Sequence, residues 1–124
     1  MSVMIKITQK IKHFPFKLET PSGKKFLVIH IDGEKVQIET GKKASLMKIP
    51  ASALEETPDF LRGKGWLRIG ATHENSEEST LDSFLKKFSG GTSWASYVAS
   101  LLELSEIADI NRKRPAKIRI KNSN

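Results

Sequence analysis

Residues 81–104 read LDSFLKKFSGGTSWASYVASLLEL, and this stretch decides the fold. Leu81, Phe84, Leu85 and Phe88 recur at spacings of three and four, the period of a helix with one apolar face. Ser79 is the expected cap of that helix, with Asp82 at the capping-box position. Ser89-Gly90-Gly91 stops it, because glycine reaches the left-handed backbone that ends a helix. Thr92 or Ser93 then caps a second helix over 93–104, with Trp94, Val98, Leu101 and Leu102 as its apolar stripe. Two helices, 80–88 and 93–104, are thus expected to meet at a tight double-glycine turn.

Upstream of this pair the period changes at Pro50. Ala51 to Glu56 is good helix material, with Glu55 and Glu56 placed to complement the helix dipole. Thr57-Pro58 can restart the helix, with Phe60 and Leu61 inward and Gly63 as its end. Gly65 to Gly70 reads as a short strand and Thr72 to Ser79 as a polar, acidic loop. Downstream, Ile107 to Ile110 is a second short strand. Asn111 to Pro115 is a basic turn, and Lys117 to Lys121 a final alternating strand.

The first 49 residues alternate instead. Val3, Ile5 and Ile7 carry the strand period, and Phe14 to Leu18 continues it with Pro15 at an edge or strand start. Lys25 to Ile31 and Lys35 to Glu39 flank Asp32-Gly33, which suits a type I′ hairpin turn with positive φ at both residues. Gly33→Val is therefore expected to cost about 1 kcal/mol or more. Ala44 to Ile49 completes a meander. The fold class expected is α+β: an antiparallel β meander over 1–49 and a helical half with a terminal hairpin over 50–124, packed as one compact unit. Phe14, Phe16, Trp66 and Trp94 are assigned to the core, although Phe14 and Phe16 lie among lysines where base stacking is conceivable.

The order helix, strand, helix, glycine turn, helix, strand, basic turn, strand over residues 50–121 resembles the winged helix-turn-helix domains. The resemblance lies in element order and covers slightly over half the chain. It implies that the helix beginning near Thr92 is a recognition helix of the kind that enters the major groove, and that Asn111 to Pro115 is the wing. On that helix Ser93, Ser96, Tyr97 and Ser100 are expected on the exposed side. From Thr92 to Leu104 it holds no base and one acid, Glu103, where winged helices that read sequence mostly carry Arg, Lys, Asn or Gln. The expectation is contact with the phosphate backbone and little base readout.

The charge pattern points the same way. Residues 1–49 hold 10 lysines against 4 acids, residues 50–111 hold 5 bases against 10 acids, and residues 112–124 hold 6 bases and no acid, within a net charge of +7. Solubility needs charge but does not need it sorted, whereas a polyanion partner does. The candidate nucleic-acid-binding residues are Arg112, Lys113, Arg114, Lys117 and Arg119 on the hairpin and Ser93, Ser96 and Tyr97 on the helix. Lys42 and Lys43 form a secondary patch if the meander lies on the same side. DNA, as duplex, is expected ahead of RNA. The alternative is a protein-interaction module in which the small serine face of helix 93–104 meets a partner and the basic ends serve solubility; lysines on an edge strand also discourage aggregation.

Other classes find little in the sequence. The chain has no cysteine, so disulfides, thiolate metal sites and cysteine nucleophiles are excluded. His13, His30 and His73 stand alone without ligand spacing, and His73-Glu74 is the one adjacent acid–base pair. No phosphate loop is present, and Asp32, Glu34 and Glu39 do not make a nuclease layout. The chain is therefore read as non-catalytic, with no cofactor and no metal. No apolar run approaches the roughly 18 residues of a membrane span. MSVMIKITQKIK lacks an apolar h-region, so the expectation is no signal peptide, no membrane partner and cytoplasmic residence.

Overall fold

The computed structural model describes residues 2–70 and 80–121. It is an α+β protein in which a four-stranded antiparallel sheet is followed by helices and a three-stranded sheet. The expected loop at 72–79, with Ser79 and the His73-Glu74 pair, lies outside the described residues.

The N-terminal segment departs from expectation. Val3–Lys10 is a helix, α1, and not a strand. Val3, Met4, Ile7 and Ile11 are its buried side, a helical spacing that coexists in the sequence with the Val3-Ile5-Ile7 alternation. The decision comes from its N-terminus. Ser2 Oγ accepts from the Ile5 backbone N–H at 3.1 Å, while the Glu55 carboxylate accepts from Ser2 Oγ, Val3 N and Met4 N at 2.7, 2.9 and 3.1 Å. Three donors at a helix start, two of them otherwise orphaned, are satisfied by one distant side chain. Glu55 thus complements the dipole of α1 and not that of its own helix.

The meander follows as β1 Phe16–Glu19, β2 Lys25–Ile31, β3 Lys35–Thr40 and β4 Ser45–Pro50, paired in chain order. Pro15 directly precedes the edge strand β1, the position a residue without an N–H tolerates. Phe26, Val28, Val36, Ile38 and Ile49 are the buried face. Phe14 is exposed, contrary to its core assignment, because it falls before β1 and outside the pleat; Phe16 packs against the core. The β2–β3 turn is also different from the expected type I′ form. Gly33 does not have positive φ, and Asp32 makes the turn by accepting from Glu34 N at 2.8 Å and Lys35 N at 3.0 Å through Oδ1.

Pro50 closes β4 and leads straight into α2, Ala51–Leu61. The expected restart at Thr57-Pro58 does not occur: Pro58 lies inside one continuous helix, and the buried Thr57 hydroxyl donates to the Ala53 carbonyl at 2.7 Å. The next elements are β5 Leu67–Arg68, α3 Leu81–Ser89, α4 Ala95–Leu104, β6 Ala108–Asn111 and β7 Lys117–Ile120. Two helices do meet at the glycine turn, with Gly90 left-handed at φ 71°. The cap of α3 is Thr80, boxed with Ser83, so Asp82 is released from that role. Its buried carboxylate instead accepts from Ser93 Oγ at 2.8 Å and pairs with Lys86 at 3.0 Å, tying the two helices together.

The small sheet has the order β5-β7-β6, both pairings antiparallel. One buried core joins the two halves: Val28, Val36 and Ile38 from the meander belong to the same cluster as Leu54, Leu85, Leu102 and Ile118. The centre of that cluster is α4, which carries Ala95, Val98, Ala99, Ser100, Leu101 and Leu102 as buried residues.

Candidate nucleic-acid interface

The basic hairpin is built by β6 and β7. Asn111 ends β6 and accepts from Lys113 N at 3.0 Å through its side chain, which starts the turn. Lys113 and Arg114 project from the tip; both are exposed, and neither has an ion-pair partner among the described residues. Arg112 is different. Its guanidinium grips the Glu103 carboxylate at the end of α4 with two bonds of 2.8 and 2.5 Å. Those hydrogen bonds, with the nearby Glu19 charge, raise its pKa against the opposing pull of burial. Arg112 therefore braces the hairpin on α4.

Along β7 the side chains alternate. Ile118 is buried against the core, while Lys117 and Arg119 face the other way. Lys117 pairs in register with Asn111 on one side and Arg68 on the other. Arg119 lies opposite Asp109 in β6, with a loose ion pair of 3.9 Å, and Lys121 reaches the same carboxylate at 3.8 Å. The Arg119 guanidinium also sits 4.4 Å from the centroid of the Trp66 ring.

Trp66 is thus not a core residue as expected: it is 40% exposed, and Trp94 alone holds the core position. The sequence does contain the signal. Leu67 and Ile69 both turn inward, so period-two alternation sends Trp66 outward.

The helix residues behave otherwise than the basic ones. Ser93 is exposed but has given its hydroxyl to Asp82, and Ser96 is half-buried. Tyr97 is half-buried and meets Phe26 edge-on, 5.1 Å between centroids. Ser100, expected on the exposed side, is buried: its hydroxyl donates to the Glu19 carbonyl of β1 at 2.7 Å. The physical reason is that the meander packs on the side of α4 that an isolated helical half would leave open.

Lys42 and Lys43 lie in the exposed turn between β3 and β4. Strand register sets that turn at the end of the meander where Glu19 pairs with Lys25 and Thr40 with Phe26. Glu19, at that end of β1, is the meander acid whose charge bears on Arg112. Of the expected site residues, Lys113, Arg114, Lys42 and Lys43 are exposed, whereas Tyr97 and Ser100 are taken up by contacts with the meander.

Among the described residues no three His, Asp or Glu side chains gather to hold a metal ion. No helix among them is long and apolar enough to cross a membrane. Compared with known proteins, the chain has no significant match to any family model, curated protein or solved structure.

Proposed function

We propose that this chain is a non-catalytic nucleic-acid-binding module that holds the phosphate backbone of duplex DNA with its basic hairpin. The observation that carries the proposal is the tip of that hairpin: Lys113 and Arg114 are exposed and have no acid partner among the described residues, and the exposed turn at Lys42 and Lys43 adds a second cationic patch. Element order supports a winged-helix reading of residues 50–121, and so does the sheet order β5-β7-β6, in which the hairpin would be the wing. In that reading α4 stands where a recognition helix stands, but the meander takes up its Tyr97 and Ser100 side. Binding then depends on charge and little on base sequence. Cytoplasmic residence belongs to the same proposal. On the serine face invoked for a protein partner, the Ser93 and Ser100 hydroxyls are engaged in internal hydrogen bonds, which leaves that alternative less surface.

Fluorescence anisotropy with labelled duplexes across a salt series tests the proposal. Each phosphate neutralised adds roughly 0.9 to the slope of log K against log salt, so Lys113→Ala with Arg114→Ala should reduce the slope by about 2. The loss should be alike on unrelated sequences. Wild-type protein that binds no duplex at low salt would end the proposal.

A further inference from the structure

The outward face of the β5-β7-β6 sheet combines features that the hairpin tip does not need. Trp66 is exposed on it, with Arg119 over its ring, and the Arg119 side chain itself remains 47% exposed. Lys117, Arg119 and Lys121 occupy alternate positions along and just beyond β7, about 6.7 Å apart by strand geometry. That interval suits successive nucleotides of an extended strand. Beside Trp66, a cleft of about 500 Å³ opens between the Gly63 and Gly65 backbone and the side chains of Asp109, Arg119 and Lys121. The two glycines have φ of 81° and 62°, and a Cβ at either would meet nothing within 4 Å, so the backbone there is bare. Polar backbone, the Asp109 carboxylate and two cations therefore line a space of nucleotide size, and Arg119 connects it to the exposed indole of Trp66.

We propose that this face is a second site, which binds single-stranded nucleic acid by stacking a base on Trp66 and holding the adjoining phosphate in the cleft between Arg119 and Lys121. The indole selects the single strand, because paired bases inside a duplex do not offer their faces to it. Asp109 holds both cations through contacts of 3.9 and 3.8 Å, loose enough for a phosphate to displace it. The site goes beyond the duplex-binding proposal and does not depend on it.

The test is intrinsic tryptophan fluorescence together with anisotropy, using a short oligothymidylate, a duplex of equal length and free thymidine monophosphate. Oligothymidylate should quench the red-shifted part of the emission that the exposed Trp66 contributes and leave the blue-shifted part from the buried Trp94. Trp66→Ala should abolish the quench and weaken oligothymidylate binding about tenfold, the worth of one stacked base, with duplex binding unchanged. Trp66→Phe, which keeps a stacking ring, should retain most of the affinity. Asp109→Asn should strengthen oligothymidylate binding several-fold, a readout that survives if Trp66→Ala fails to fold. The Lys113→Ala, Arg114→Ala variant should keep the quench even where duplex binding falls, which separates this site from the hairpin tip. Oligothymidylate binding that ignores Trp66→Ala, equal quenching by the duplex, or full competition by the mononucleotide would each overturn the proposal.

Discussion

The Ser100 hydroxyl donates to the Glu19 carbonyl across 81 residues of chain, at 2.7 Å. Through this bond the middle of α4 is fastened to the edge strand β1, and the meander becomes a lid on the helix that its own half would have presented to solvent. The same hydroxyl also approaches the Ser96 carbonyl at 3.2 Å, so its loss frees one strong partner and one weaker one.

Ser100→Ala should therefore destabilise the protein by about 1 kcal/mol, the usual net worth of such a bond. Thermal unfolding followed by circular dichroism should show a Tm lower by roughly 3–6 °C. An unchanged Tm would mean that α4 and β1 are not fastened at this point.

The Glu55 carboxylate supplies a pH dependence. Partial burial pushes its pKa up, but hydrogen bonds from Ser2, Met4 and Val3 outweigh that and hold it below the ordinary 4.5. A group whose pKa is lowered on folding stabilises the fold above its unfolded pKa, and the contribution fades as pH falls through the folded value. Wild type should thus exceed Glu55→Gln in Tm at neutral pH, and the gap should narrow below about pH 4.5. A gap constant from neutral to acid would refute the capping role.

The β2–β3 turn separates two residues that look equivalent in sequence. Gly33 lacks positive φ and a Cβ there meets nothing within 4 Å, so Gly33→Ala should stay within about 0.5 kcal/mol of wild type. Asp32→Ala should lower Tm further than Gly33→Ala, because Asp32 bonds both Glu34 N and Lys35 N. A larger loss at Gly33 would restore the type I′ turn.

On the proposed duplex-binding function, the Glu103–Arg112 pair makes a directional prediction. Glu103→Gln removes the carboxylate that engages Arg112 and leaves the guanidinium free to meet a phosphate. Duplex affinity at low salt should rise, and the salt slope should steepen by up to about 0.9. A flatter slope would place Arg112 away from the DNA.

Local pattern was enough wherever one element determines its own state. The α3–α4 turn follows from two apolar stripes and Gly90, and the basic hairpin follows from the run between Arg112 and Lys121. Pattern misled where a second element casts the deciding vote. Val3 to Thr8 satisfies both a strand period and a helical one, and the carboxylate that settles it is 52 residues from Val3. Trp66 is legible in hindsight from its inward neighbours Leu67 and Ile69, yet large aromatic character alone argued for burial.

The sequence by itself determined an α+β chain, the meander, the helical pair and a charge-sorted surface with a basic hairpin, because periodicity, glycine stops and net charge are properties of neighbouring residues. Only the tertiary structure decided which surfaces remain open. It hid Ser100 under β1, tied Ser93 to Asp82, clamped Arg112 on Glu103 and left Trp66 exposed beneath Arg119. Exposure depends on what packs against an element from far along the chain, and no local pattern carries that information.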